Sequence, residues 1–229
     1  MSYDSLAKKS RCQNERVCRT QISVLPSGEL IRHHPQAYGW IGNRGVLHNG
    51  QGKITKPFAS KAWLACTPSR QANDPKRPLT EPGRYTLLRF LDEATALSAG
   101  HRPCWTCRRA DFHRFLAAWT RGNLGQCVEV GVTVAAMDTV LHRERIDTQG
   151  LKVSFAAPIE SLPGGCIAAL GDTDYLVRGD YLFRWSPTGY TQKLPRPANL
   201  SVRVWTPRSV VAAFRAGYVP HVDPSVDAV

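Results

Sequence analysis

The feature that most constrains this chain is a Cys-x-x-Cys turn, Cys104-Trp105-Thr106-Cys107, between two segments with a helical pattern. Two cysteines at this spacing can direct both sulfurs toward one tetrahedral ion, and the N–H groups that begin the second helix favour charged thiolates. A redox dithiol of the thioredoxin type follows a strand, whereas a short helix and a Gly-His-Arg-Pro turn precede this motif. The motif therefore predicts a zinc (Zn²⁺) site, with a redox pair or two unliganded thiols as the alternatives.

The segments on both sides of the motif have the caps and the spacing of helices. Asp92 and Gly100 suit the N-cap and C′ positions of a two-turn helix. A second helix is expected over about residues 108–120 and a third over about residues 136–145, because bulky apolar residues recur there on one helical face. The inward residues are Phe112, Phe115, Leu116 and Trp119 in the second helix and Met137, Val140 and Leu141 in the third.

The rest of the chain has the pattern of strands and turns, so the expected fold class is α+β. Residues 21–31 predict a hairpin around the turn Pro26-Ser27-Gly28, and residues 67–83 predict a loop. A C-terminal helix should begin with Thr206 as its N-cap and end at Gly217. The other expected strands are residues 38–41, 62–65, 85–91, 152–155, 166–170, 175–177, 181–185 and 202–205.

These elements suggest three parts along the chain. We expect a flexible arm over residues 1–20, a small zinc-stapled α/β part over residues 21–150, and a mainly β part with the terminal helix over residues 151–229. The boundary at 150 is soft, and the two folded parts could form one domain. The absence of a long apolar run and the polar first residues predict a cytoplasmic protein without membrane contact. Seven cysteines, an odd number, argue against a disulfide framework.

The charge of the chain predicts a polyanionic partner. Thirty Lys and Arg residues against 18 Asp and Glu residues leave a formal net charge of +12. Such an excess attracts nucleic acid, and its dominance by arginine favours forked contacts to phosphate. The alternative interpretation is a basic, solvated surface without a nucleic-acid partner.

The segment from Phe90 to Arg108, which contains Arg102-Pro103-Cys104 and Cys107, resembles the second half of the metal-binding domain of the Ada alkylation-repair protein. That domain also occurs in bacterial nuclease-like proteins. There a short helix ends in glycine, an aromatic or basic residue and Arg-Pro-Cys-x-x-Cys, and the two cysteines close a zinc site on a DNA-binding scaffold. The resemblance implies zinc and an association with DNA. The whole layout also resembles an uncharacterised family of bacterial proteins, which implies a shared architecture but no activity.

The resemblance also implies two upstream ligands. The shorter relatives of the domain supply a His and a Cys after a Gly-Asn pair, and here Gly42-Asn43 is followed by His48 and then Cys66. The implied ligand set is therefore His48, Cys66, Cys104 and Cys107. The gap between the first two is longer than in the relatives, and Cys12 with Cys18, or His101, are alternative ligands. The Cys-x-x-x-Cys pair that accepts a methyl group in the full Ada domain does not occur in this sequence, so alkyl transfer is not implied.

The predicted nucleic-acid contacts lie around two turns. Arg102, Arg108 and Arg109 flank the Cys-x-x-Cys turn, Trp105 lies inside it and could stack on a base, and Arg44 lies in the Gly42-Asn43-Arg44-Gly45 loop. These five residues support our leading hypothesis, a zinc-containing protein that binds nucleic acid, in the first place DNA, in repair, defence or regulation.

A second hypothesis is a nuclease or phosphodiesterase. Asp138 and His142 are four residues apart on the third helix, where the carboxylate could orient the imidazole as a general base, and Glu144 and Arg145 follow them. The alternative for these four residues is a solvated helix face with ordinary ion pairs. A third hypothesis is a protein-binding adaptor whose positive charge is incidental.

Overall fold

The computed structural model describes residues 21–33, 39–67, 84–123 and 133–229. Within these ranges the chain forms four α-helices and twelve strands in two six-stranded sheets, which confirms the α+β class. The predicted arm and residues 68–83 of the predicted loop lie outside the described residues. None of the helices in the described ranges is long and apolar enough to cross a membrane.

The first sheet carries the Cys-x-x-Cys turn at its edge. Its strand order is β2-β1-β5-β3-β4-β6, and the hairpin predicted around Pro26-Ser27-Gly28 is its β1–β2 pair. The β1–β5 and β4–β6 pairs are parallel and the other neighbours are antiparallel. The strands are β1 Gln21–Val24, β2 Leu30–His33, β3 Trp40–Asn43, β4 Leu64–Cys66, β5 Leu88–Phe90 and β6 Arg102–Pro103.

The four helices lie where the sequence predicts helices, and the predicted caps of the first helix are also confirmed. The Asp92 carboxylate accepts a hydrogen bond from the Thr95 N–H at 2.7 Å, and Gly100 follows the last turn with a φ of +90°. In the second helix the predicted inward face is buried at Phe112, Phe115 and Trp119. The helices are α1 Glu93–Ser98, α2 Arg109–Gly122, α3 Val134–Arg145 and α4 Arg208–Arg215.

The second sheet is formed by residues after 150, and its neighbouring strands are all antiparallel. Its order is β11-β10-β9-β8-β12-β7. The strand β11 was not predicted, because its residues do not alternate between buried and exposed positions. The predicted cap of the terminal helix is wrong, since Pro207 is the N-cap residue and the Thr206 hydroxyl accepts from the Ile167 N–H at 2.9 Å. The strands are β7 Phe155–Pro158, β8 Ile167–Leu170, β9 Thr173–Arg178, β10 Tyr181–Ser186, β11 Gly189–Pro195 and β12 Ser201–Val204.

The largest core joins the two sides of residue 150. It combines apolar residues of α2 and α3 with residues of the second sheet and of α4. Helix α1, every residue of which is buried, adds a second connection. Its Ala94 packs in a cluster with the second sheet, whereas its Ala96 packs in a cluster with the first. The helix that precedes the Cys-x-x-Cys turn is therefore held from both sides.

Candidate metal centre

The pairing of β4 with β6 brings Cys66 next to Cys104. The two strands are parallel, with Leu64 opposite Arg102 and Ala65 opposite Pro103. The residues that follow in each strand are Cys66 and Cys104, and the Cys104 N–H donates to the Ala65 carbonyl at 2.9 Å. Two cysteines that lie far apart in the sequence thus become neighbours at the sheet edge.

The turn after β6 adds the third sulfur. The Arg108 N–H donates to the Cys104 carbonyl at 2.8 Å and closes the turn before α2 begins. The Sγ atoms of Cys66, Cys104 and Cys107 all lie within 4.8 Å of one another. Tetrahedral zinc with Zn–S bonds of about 2.3 Å places sulfurs about 3.8 Å apart, so only a small side-chain adjustment separates this geometry from coordination. These three cysteines could bind a metal ion.

The electrostatics of the cluster favour a negative charge on Cys104. Its pKa is lowered to about 5, first because the Cys66 thiol donates a hydrogen bond to its sulfur, and also because the backbone N–H groups of Cys107 and Thr106 point at it. The same hydrogen bond, together with burial, raises the pKa of the Cys66 thiol far above its ordinary value. These contacts favour the thiolate form of Cys104 against the effect of burial, and a cation at the three sulfurs would stabilise it further.

The predicted ligand His48 does not join the three sulfurs. Its Nδ1 lies 2.6 Å from the hydroxyl of Thr86, which precedes β5. Strand β3 pairs with β4, where Ile41 lies opposite Cys66, and with β5, where Gly42 lies opposite Leu88. Thr86 precedes β5 and therefore lies beyond the C-terminal end of β3. Cys66 lies near the other end of that strand. The loop that follows β3 therefore carries His48 away from the three clustered cysteines.

The alternative ligand His101 is not part of the cluster either. His101 is fully buried, its Nδ1 donates to the Ala96 carbonyl at 3.2 Å, and its Nε2 accepts from Arg44 Nε at 3.2 Å. Burial, and then the charge of Arg44, lower the pKa of His101 well below its ordinary value, so the ring is neutral. Cys12 and Cys18 lie outside the described residues.

Three of the five predicted nucleic-acid contacts are buried instead. Arg102 forms a forked pair with both oxygens of Asp138 at 2.6 and 2.8 Å. Arg108 donates to Glu93 at 2.7 Å and to Asp111 at 2.7 Å. The third, Arg44, is 2% exposed. The expectation that these three arginines face solvent is wrong, because each also has a partner distant in sequence, which is Asp138 for Arg102, Glu93 for Arg108 and His101 for Arg44.

The other two predicted contacts are exposed. Trp105 is 47% exposed and lies between the two cysteines of the turn. The Arg109 guanidinium carbon lies 4.4 Å from the centroid of its indole ring. The pair occupies the tip of the turn at the start of α2.

The predicted catalytic residues do not form an acid–base pair. Asp138 is bound to Arg102, and the Glu144 carboxylate accepts from the Ser209 N–H at 2.9 Å and from the Ser209 hydroxyl at 2.5 Å. His142 Nδ1 accepts from Arg145 at 3.2 Å, and burial, followed by the charge of Arg145, lowers the pKa of His142. No carboxylate of the described ranges contacts the ring, so His142 lies beside a cation and is not held there as a general base.

Comparisons with family models, with curated proteins and with solved structures give no match for this chain. The resemblance to the Ada-type domain therefore stays a prediction from the motif.

Two residues that the sequence did not point to as parts of a site are Lys152 and Trp63. Both lie with Arg44 and Arg145 around one cavity. The signal is weak in the sequence, since a single lysine or tryptophan in a predicted strand is common, and only the fold brings these residues together.

Proposed function

We propose that Cys66, Cys104 and Cys107 bind Zn²⁺ as a structural ion. Three cysteine sulfurs are soft ligands, and thiolates in tetrahedral geometry favour zinc over hard cations such as Mg²⁺ or Ca²⁺. The ion would connect the edge strand β6 and its neighbour β4 to the start of α2, a region where β6 has only two residues. The proposal assigns three of the four ligands of a tetrahedral site.

We further propose that this centre presents a nucleic-acid-binding surface, which we call the Trp105 surface and define as Trp105, Arg109 and the exposed side of α2. The observation that carries the proposal is that the half-exposed Trp105 lies between two of the three clustered cysteines. An ion at the sulfurs would fix the turn and hence the indole. The exposed side of α2 adds basic residues, namely His113, Arg114 and Arg121.

The chemistry of the Trp105 surface suits a single strand or an unpaired end. An exposed indole can stack on a base of any identity, and a guanidinium next to it can reach the adjacent phosphate. Asp111 neutralises Arg114 at 2.5 Å, so Arg109 and Arg121 carry most of the uncompensated charge of the helix face. The net charge of +12 supports attraction to a polyanion over longer distances.

The metal part of the proposal is tested by elemental analysis of protein purified without chelators. We expect one zinc per chain, and loss of that zinc in Cys104→Ser. The control is Cys166→Ala, which removes a buried cysteine of the second sheet that lies outside the cluster. Native protein without zinc, or Cys104→Ser with its zinc retained, would contradict the proposal.

The nucleic-acid part is tested by fluorescence anisotropy with labelled single-stranded and duplex DNA at two salt concentrations. We expect the double variant Trp105→Ala/Arg109→Ala to bind the single strand about tenfold or more weakly, with a salt slope smaller by about one. The matched control is Tyr181→Ala/Lys193→Ala, which removes a similar exposed pair, 4.2 Å apart, from the second sheet. Equal affinity of the native protein and the Trp105 double variant would exclude this surface.

A further inference from the structure

A cavity of about 630 Å³ beside the first sheet gathers three basic side chains. Arg44 follows β3, Arg145 is the last residue of α3, and Lys152 follows the next turn, where it forms a β-bridge with Ile146. We call this space, with these three residues on its wall, the basic cavity. The sequence pointed to Arg44 as a nucleic-acid contact and to Arg145 as part of a catalytic group, but not to a site that they share with Lys152. None of the three belongs to the metal centre or to the Trp105 surface.

Each cation of the basic cavity is held by neutral groups. Arg145 donates to the carbonyls of Gly100 at 2.7 Å and Lys61 at 2.6 Å, and Lys152 donates to the carbonyl of Ser98 at 2.9 Å. Arg44 donates to the neutral ring of His101. Among the described residues no carboxylate forms an ion pair with any of the three. Three basic side chains thus share one site without a direct ion pair, and the nearest charge that favours the Arg145 cation is that of Asp138, which is itself bound to Arg102.

The arrangement leaves donors and charge unsatisfied. Arg44 Nη2 and Arg145 Nε are buried and have no hydrogen-bond partner. The ring of Trp63, whose centroid lies 3.8 Å from the Arg44 guanidinium carbon and 4.0 Å from that of Arg145, offsets part of the cost of burying the two charges. Burial lowers the pKa of all three residues, to about 9 for Arg145 and to about 7 for Lys152, and their mutual repulsion adds to the effect on Arg44 and Lys152. An anion in the cavity would relieve this repulsion.

Part of the lining of the basic cavity forms an apolar wall. The apolar residues of this part are Leu30, Ile54, Leu151 and Trp205. The lining also includes Glu29 and Lys56, which are exposed and carry opposite charges. A volume of 630 Å³ is in the range of sites for small organic molecules, about 300–1,000 Å³, and far exceeds what an inorganic ion needs. A fitting ligand would carry its charge at one end and an apolar or aromatic body at the other.

We propose that the basic cavity binds a small organic phosphate, a phosphate monoester on a flat or apolar body of about the size of a nucleotide. A phosphate dianion would offset most of the positive charge of Arg44, Arg145 and the Lys152 ammonium. A monocarboxylate would neutralise less of the charge of the three cations. The body of the ligand would lie against Leu151 and Trp205.

The test is isothermal titration calorimetry with adenosine monophosphate as the probe. We expect saturable binding, and binding about tenfold or more weaker for adenosine, for inorganic phosphate and for benzoate. Lys152→Met removes the ammonium but keeps the alkyl stem, and should weaken the binding of adenosine monophosphate about tenfold or more. Lys193→Met, which removes an exposed lysine of the second sheet, is the control and should bind like the native protein.

The outcomes separate this site from the metal centre and the Trp105 surface. No saturable binding of adenosine monophosphate, or unchanged binding by Lys152→Met, overturns the proposal. Inorganic phosphate that binds as tightly as the nucleotide overturns the role of the apolar wall, and benzoate that does so overturns the preference for phosphate. Loss of nucleotide binding in Trp105→Ala/Arg109→Ala would place the anion at the turn and not in the basic cavity.

Discussion

Replacing Arg102 with alanine should destabilise the fold and not act as the loss of a surface phosphate contact. The Arg102 and Asp138 side chains are 6 and 10% exposed and form two hydrogen bonds of 2.6 and 2.8 Å. Removal of the arginine leaves a buried carboxylate without its cation, which typically costs about 3–5 kcal/mol. The pair also joins β6, the strand before Cys104, to α3, so the loss would be felt next to the metal centre.

A double-mutant cycle separates the ion pair from the packing of the arginine stem. The Arg102 guanidinium carbon lies 5.5 Å from the centroid of the Phe112 ring, and alanine would remove this contact as well. If the pair is coupled, Arg102→Ala/Asp138→Ala should cost less than the sum of the two single variants by up to about 3 kcal/mol. Additive single variants would mean that the two charges do not interact.

The assay is urea denaturation at 25 °C followed by circular dichroism, with zinc present in all samples. Arg109→Ala is the control, because it removes an exposed arginine near the same turn and should change the free energy of unfolding by no more than about 0.5 kcal/mol. If Arg102→Ala also stayed within that range, its guanidinium would be solvated, and our argument for a buried pair would be refuted. Arg102 would then return to the candidate contacts for nucleic acid.

Three further results follow from the contacts around Arg145. In the same urea assay, Gly100→Ala should lower the free energy of unfolding by about 1–3 kcal/mol more than Gly217→Ala does. Both glycines follow a helix with φ near +90°, but only at Gly100 would the new Cβ meet the Arg145 side chain, at 2.6 Å. Equal losses in the two variants would contradict this. Burial and the two cavity arginines lower the pKa of Lys152 to about 7 in the free protein, so its side chain is mostly neutral at pH 8. A bound phosphate raises this pKa again. At pH 8 the binding of adenosine monophosphate should therefore take up as much as about one proton. Calorimetry in two buffers of different ionisation enthalpy measures this uptake, and its persistence in Lys152→Met would assign it to another group. His142→Ala should cost about 1 kcal/mol in urea denaturation and leave the affinity for DNA unchanged, since its ring accepts from Arg145 and no carboxylate holds it as a base; loss of a DNA-cleaving activity in this variant would contradict that interpretation.

The elements around the Cys-x-x-Cys turn were predictable because their signals are local. The Asp92 cap, the Gly100 stop and the apolar face of α2 each depend on residues within a few positions of one another. The same holds for the turn itself, which places Cys104 and Cys107 together whatever the rest of the chain does. Cys66 was implied only by the resemblance, since its place beside Cys104 depends on the register of two strands distant in sequence.

The ligand and surface predictions that did not hold depended on contacts between distant residues. His48 was placed near the cysteines on the order of residues along the chain, but the strand register carries it to the other end of β3. The partner of Arg102 lies 36 residues away, and the buried partner of Arg108, Glu93, lies 15 residues away. An arginine beside a turn has the same local sequence whether it faces phosphate or an internal carboxylate, so its burial could not be predicted.

The location of the charges changes what the net charge of +12 implies. Arg102 and Arg108 are neutralised inside the fold by Asp138, Glu93 and Asp111, so they add little to the field that a polyanion meets at the surface. Part of the uncompensated charge lies in the basic cavity, which a duplex cannot enter, and part lies on exposed arginines such as Arg109. A single excess of positive charge therefore supports two kinds of anionic partner. Exposed charges act at the encounter with a polymer and are screened by salt, whereas charges in a cavity with an apolar wall act on a small ligand and are screened much less.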